Sequence, residues 1–215
     1  MLESEMAHGD RARRSRLIRQ ARFPIPKPTE GLDRANVSFP DGRGRGEMLS
    51  LGFISAAEDL VLFGQAGRGK THMATAPGIA AASAGHPVRL WQTAQLVTRL
   101  GKARREGTPG RLLADVGRSR LPVLDEFGYV PLDVDGARLL FQVISESHEG
   151  RGVMFTTNVE FSRWGTVFAD DKLAAAIVDR LCEASHNRSD AKFHIMRSWA
   201  HRGRSTCDSA APDFA

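Results

Sequence analysis

The run Leu60-Val61-Leu62-Phe63, followed at once by Gly64-Gln65-Ala66-Gly67-Arg68-Gly69-Lys70-Thr71, constrains this chain more than any other segment. An apolar strand that breaks into Gly-x-x-x-x-Gly-Lys-Thr and then into a helical pattern is the signature of a phosphate-binding loop. Its glycines let backbone N–H groups converge on phosphate oxygens with no Cβ in the way. Lys70 can then reach the β and γ oxygens of a nucleotide, and the Thr71 hydroxyl can ligate Mg²⁺. An ordinary Gly-rich turn would not need the Lys-Thr pair in that register. Pro77 falls about two turns into the following helix, where an interior proline costs about 3 kcal/mol and kinks the rod. A kink that reached Lys70 would weaken phosphate binding, whereas one confined beyond the first turn would spare it.

Two further strand ends carry candidate chemistry. Leu121-Pro122-Val123-Leu124 runs into Asp125-Glu126, and beside a phosphate loop the two carboxylates divide the work. Asp125 is expected to hold the Mg²⁺ shell and Glu126 to orient and deprotonate an attacking water. Pro122 removes a backbone donor, which a central strand tolerates only near its start. Val153-Met154-Phe155-Thr156-Thr157 ends at Asn158, where the amide could bond a γ-phosphate or the lytic water; taken alone, such a strand end is more often a turn or cap. A small-molecule kinase would share the loop, but adjacent carboxylates and a polar sensor suit water activation better than transfer to a bound acceptor.

Apolar runs at Asp59–Phe63, Pro87–Trp91, Leu121–Leu124, Gly152–Thr156 and Phe193–Met196 alternate with helical periods at Lys70–Ala84, Thr93–Arg105, Gly136–His148 and Lys172–Ala184. This alternation predicts an α/β domain with a parallel five-stranded sheet flanked by helices. The expected division is a basic, Pro/Gly-rich N-terminal arm over 1–47, a nucleotide-binding domain over 48–200 and a disordered tail over 201–215. Arg11, Arg13, Arg14, Arg16, Arg19 and Arg22 cluster with no acid after Asp10, in what could be a basic helix. With 30 Lys and Arg against 25 Asp and Glu, the chain carries a formal charge of +5, which favours a polyanionic partner. The Arg run and a second group, Arg188, Lys192, Arg197, Arg202 and Arg204, are the candidates for sequence-tolerant contacts to DNA phosphates. The two cysteines, Cys182 and Cys207, lack partners at metal-ligand spacing, and no stretch approaches the about 18 apolar residues of a membrane span. The expectation is a cytoplasmic protein with no membrane attachment.

Several separated blocks resemble the IstB-like transposition helper ATPases, relatives of the DnaC-type replicative helicase loaders within the AAA+ class. They are Ala21-Arg22-Phe23-Pro24, Gly69-Lys70-Thr71-His72, Leu124-Asp125-Glu126-Phe127-Gly128-Tyr129-Val130-Pro131-Leu132, Thr157-Asn158, Phe161-Ser162-Arg163-Trp164-Gly165 and Leu173-Ala174-Ala175-Ala176-Ile177-Val178-Asp179-Arg180-Leu181. The resemblance implies an AAA+ fold, an ATP site from Gly64 to His72, Walker B roles for Asp125 and Glu126, a sensor role for Asn158, and an arginine finger at Arg180. It also implies ATP and Mg²⁺ as cofactors, an ATP-dependent homo-oligomer on DNA, and a transposase or replicative helicase as partner. The chain departs from the family pattern at Pro77 and Pro122, in the short region before Ala21, and after Ser185. A DNA-binding scaffold without turnover is the alternative those departures raise.

Overall fold

The computed structural model describes residues 2–24, 37–38, 45–148, 150–160, 163–168, 170–177 and 194–198. In chain order the elements are α1 (Leu2–Ala21), β1 (Val37–Ser38), α2 (Arg45–Ser50), α3 (Gly52–Ser55), β2 (Leu60–Gly64), α4 (Lys70–Ser83) and β3 (Val88–Gln92). They continue with α5 (Thr93–Arg105), α6 (Pro109–Gly117), β4 (Leu121–Phe127), α7 (Val134–His148), β5 (Met154–Thr157), α8 (Trp164–Phe168) and β6 (His194–Ser198). Residues 171–177 are also helical.

The strands form one sheet in the order β1-β6-β2-β5-β4-β3. The pairs β2–β5, β5–β4, β4–β3 and β2–β6 are parallel, and β1 adds to β6 in the antiparallel sense. Where five strands were expected, the two-residue β1 makes six; it is too short to leave a periodic signature. The switch of direction along the chain order places the C-terminal ends of β2, β4 and β5 side by side, where ligands bind in open α/β sheets.

Alternation of side chains along the strands divides the core in two. Leu60, Leu62, Val88, Leu90, Leu121, Val123 and Met154 face α1, α3 and α4. Val61, Trp91, Leu124, Phe127, Val153 and Phe155 face α5, α6, α7, α8 and the helical residues 171–177. The second layer centres on Phe127, whose ring meets Phe155 edge-on at 5.2 Å and Trp164 at 4.5 Å. The helix α6 escaped the sequence reading, although Pro109 opens it and Leu112, Leu113 and Val116 form its buried stripe.

Both problematic prolines are accommodated for identifiable reasons. The Leu121 N–H donates to the Pro87 carbonyl on the β3 side, so the alternation of the backbone turns the Pro122 nitrogen toward β5. There the ladder begins only one residue later, at Val123 opposite Met154, so no rung is lost. Pro77 lies inside α4 without ending it, and the Met73 N–H still donates to the Gly69 carbonyl at 2.9 Å. The first turn that carries Lys70 and Thr71 is therefore intact.

The N-terminal helix is packed onto the sheet-bearing core. Leu17 and Ala21 are buried, and the Phe23 ring lies where a Cβ on Gly78 of α4 would sit, 2.2 Å from the ring's Cζ. Most of the expected connecting arm, including Pro26, Pro28 and Pro40, and the tail 201–215 lie outside the described residues.

Asp59, at the foot of β2, is a buried carboxyl that accepts the Val153 N–H at 2.7 Å. Burial pushes its pKa from the ordinary 3.8 up to about 7, against the opposing pull of that hydrogen bond. A raised carboxyl pKa means that stability from the protonated form is lost as pH climbs from about 4 through about 7. The Asp59→Asn variant keeps the Oδ1 acceptor and cannot ionise. It is expected to unfold at a urea midpoint that is nearly flat from pH 5 to pH 8, while the parent loses about 2–4 kcal/mol over that window. Parallel curves for the two proteins would refute the assignment.

Candidate functional site

The phosphate-binding loop leaves β2 at Gly64 and enters α4 at Lys70. Gly67 (φ 76°) and Gly69 (φ 79°) occupy the left-handed region that a side chain resists, which is why glycine stands at both. The Lys70 ammonium folds back onto the loop, donating to the Gly64 carbonyl at 2.6 Å and the Gln65 carbonyl at 2.8 Å. Burial lowers its pKa, and Asp125 and Glu126 oppose that shift. The Lys70 amine is thus bonded to loop carbonyls beside a cavity, available to exchange those partners for phosphate oxygens.

Facing it, Asp125 is buried at the end of β4 and accepts the Thr71 hydroxyl, 2.9 Å from Oδ1 and 3.2 Å from Oδ2. Thr156 of β5 also donates to Asp125 Oδ1, and Thr93, the first residue of α5, donates to the Asp125 carbonyl at 2.8 Å. Three threonines from three elements therefore fix one aspartate. Thr93 and Thr156 went unnoticed in the sequence; a polar β-branched residue at a strand end was their only signal.

Glu126 departs from strand geometry. Its φ is 56°, and the β4–β5 register shifts between Leu124 and Phe127. The Glu126 N–H is held by the Thr156 hydroxyl at 3.0 Å. A bulge of this kind re-aims a side chain, and Glu126 stands exposed at the cavity while Asp125 stays buried.

The cavity has a volume of about 370 Å³ and is lined by Pro24, Gly67, Gly69, Lys70, Thr71, His72, Thr75, Glu126, Tyr129 and Thr156. Tyr129, 39% exposed, presents its ring 5.9 Å from the Lys70 ammonium. Burial, then Glu126 and Asp125, raise its phenol pKa, so the hydroxyl stays protonated. Gln65, Ala66 and Arg68 are exposed on the outer side of the loop. Asn158 is exposed just beyond β5 and does not line the cavity, and Arg180 lies outside the described residues. Arg11, Arg13, Arg14, Arg16 and Arg19 are exposed along α1, and Arg22 directly after it. Of the second basic group, only the backbone of Arg197, in β6, is described. Among the described residues no cluster of His, Cys, Asp and Glu is arranged to hold a metal by itself, and no helix is long and apolar enough to cross a membrane.

The family model for IstB-like ATP-binding proteins matches residues 1–197. The chain belongs to that family. It is 37% identical over 168 residues to the insertion sequence IS21 ATP-binding protein of Pseudomonas aeruginosa, covering 78% of this chain and 63% of that one. To the IS5376 ATP-binding protein of Geobacillus stearothermophilus it is 32% identical over 185 residues, covering 86% and 74%. To an insertion sequence ATP-binding protein of Sinorhizobium fredii it is 30% identical over 211 residues, covering 94% and 70%. The chain therefore spans about two thirds of the length of these relatives.

Among solved structures, the fold is similar to the DnaC helicase loader, with a TM-score of 0.51 at 23% identity over 71% of this chain and 88% of that one. It is also similar to AMPPCP-bound DnaA from Aquifex aeolicus, with a TM-score of 0.52 at 16% identity over 64% and 45%. These likenesses show a shared α/β fold with a parallel sheet between helices, as the alternation of strands and helices in the sequence implied.

Proposed function

We propose that this protein binds and hydrolyses ATP with Mg²⁺ at the cavity lined by Lys70, Thr71 and Glu126. In this reading it assembles as an ATP-dependent homo-oligomer on DNA and assists the transposase of an insertion element. The observation that carries the reading is the Thr71–Asp125 hydrogen bond of 2.9 Å, with Lys70 and Glu126 opening onto the same cavity.

A hydroxyl and a carboxylate held this close are a fitting donor set for Mg²⁺, which shares oxygen ligands with nucleotide phosphates. The ion would supply charge neutralisation on the β and γ oxygens. Lys70 would give up its loop carbonyls for the same phosphate oxygens. Glu126 would take a proton from the attacking water as its oxygen bonds to the γ-phosphorus. The bond from that phosphorus to the bridging oxygen breaks, leaving ADP and inorganic phosphate. Asn158 and, from a neighbouring copy, Arg180 are assigned sensor and finger roles by the family resemblance. The insertion-sequence relatives support a transposase as partner, whereas the helicase loader shares only the fold with this chain.

Steady-state hydrolysis with Mg²⁺, with and without duplex DNA at low salt, tests the reading. Turnover stimulated by DNA is expected, falling at least about 100-fold in Lys70→Ala. DNA binding with no turnover under any of these conditions would replace it with a non-catalytic scaffold.

A further inference from the structure

Strand β3 forms one edge of the sheet, and arginines from several elements converge on it. Trp91 of β3 is buried, and two guanidinium groups lie over its ring, Arg89 at 4.5 Å from the centroid and Arg99 of α5 at 5.2 Å. Arg89 pairs loosely with Asp115 of α6 at 3.6 Å, and Arg118 takes the other oxygen of the same carboxylate at 2.6 Å. One acid thus serves two arginines, and the buried Nε of Arg89 has no hydrogen-bond partner among the described residues. Burial lowers the Arg89 pKa first, and Arg22, Arg99 and Arg118 push it the same way, with Asp115 opposing. Arg22 follows directly on α1, whose buried Leu17 and Ala21 pack it against the same layer as Val88 and Leu90 of β3.

Like charges assembled around one acid repel one another in the free protein. Arg99 is exposed, so a guanidinium oriented over the indole keeps N–H edges open for forked contact with phosphate. The excess charge calls for a polyanion. We propose that Arg22, Arg89, Arg99 and Arg118 form a nucleic-acid face on the β3 edge that grips the backbone of duplex DNA. The proposal rests on the DNA-associated reading above and gives it a location on the folded domain.

The test is fluorescence anisotropy of a labelled duplex with the full chain, titrated over a range of salt with and without Mg-ATP. The variants are Arg99→Gln/Arg118→Gln, its charge-keeping counterpart Arg99→Lys/Arg118→Lys, and Arg104→Gln, whose arginine pairs with Asp135 away from Trp91. Arg118 is 72% exposed and Arg99 is exposed, so the double variants should fold; circular dichroism checks this. Each lost phosphate contact lowers the slope of log affinity against log salt by about 0.9, so the Gln pair should lose about 1.8 and bind roughly tenfold more weakly. The Lys pair should keep most of the slope, and Arg104→Gln should match the parent. A parent that binds while the Gln pair keeps its slope would overturn the face and leave the functional reading standing. Equal losses in the Gln pair and in Arg104→Gln would also overturn the face, showing diffuse charge instead. A parent that binds no duplex in either nucleotide state would overturn both. A changed sedimentation coefficient in the Gln pair with unchanged DNA affinity would reassign the face to contact between copies.

Discussion

Replacing Gly152 by alanine is expected to destabilise the domain by about 3 kcal/mol, lowering the melting temperature by about 6–12 °C. A Cβ at this position would lie 1.9 Å from the Glu58 carbonyl oxygen and 2.6 Å from its carbon, so the obstacle is backbone and no rotamer change relieves it. Nor can the Glu58 segment retreat. Its N–H donates to the Phe53 carbonyl at 2.8 Å, the Leu60 N–H donates to the Val153 carbonyl at 2.9 Å, and the Val153 N–H donates to Asp59 at 2.7 Å. The crossing of the two chains is therefore fastened on both sides of the contact, and a shift at Glu58 would pull on β2, the strand that delivers the phosphate-binding loop. Calorimetry of the variant beside the parent decides it: a melting temperature within a degree or two would mean that the two segments separate more easily than their hydrogen bonds suggest.

That contact also marks a limit of what a sequence displays. Periodicity located β2, β3, β4 and β5 to within a few residues, because a buried strand must be apolar and a turn must follow it. The phosphate loop was legible for a stricter reason: its glycines and Lys-Thr pair answer to local backbone geometry, and Gly67 and Gly69 do adopt the left-handed conformations that demand them. What stayed hidden depends on contacts remote in sequence. Thr156 and Thr93 reach Asp125 only because parallel pairing and the start of α5 bring three strand ends together. The docking of α1 rests on Leu17, Ala21 and the fit of Phe23 over Gly78, which in the sequence is swamped by the surrounding arginines. Pro77 and Pro122 read as defects in one dimension, yet their missing N–H groups fall where the structure tolerates them, inside an unbroken helix and one residue ahead of the β5 ladder.

The second large effect is expected at Glu126. Glu126→Gln should lower ATP turnover by about 10²- to 10⁴-fold and leave nucleotide affinity within about threefold of the parent, since the amide preserves size and removes the base with its charge. Affinity is expected to hold because the proposed phosphate and Mg²⁺ contacts fall to Lys70, Thr71 and Asp125, whose hydrogen bonds do not involve the Glu126 side chain. The backbone makes the case stronger than proximity alone. A non-glycine residue at φ 56° costs about 1 kcal/mol or more, and the strain persists because the Thr156 hydroxyl holds the Glu126 N–H and the register slips around it. A glycine would adopt the same φ without penalty, so Glu126→Gly should keep or slightly raise the melting temperature while losing turnover as fully as Glu126→Gln. Steady-state turnover, titration with a fluorescent ATP analogue and thermal melts on the three proteins separate the possibilities. Turnover surviving in Glu126→Gln would remove the general base. A Glu126→Gly protein that was both inactive and strongly destabilised would show that the glutamate is held in its bulge by packing and not for catalysis.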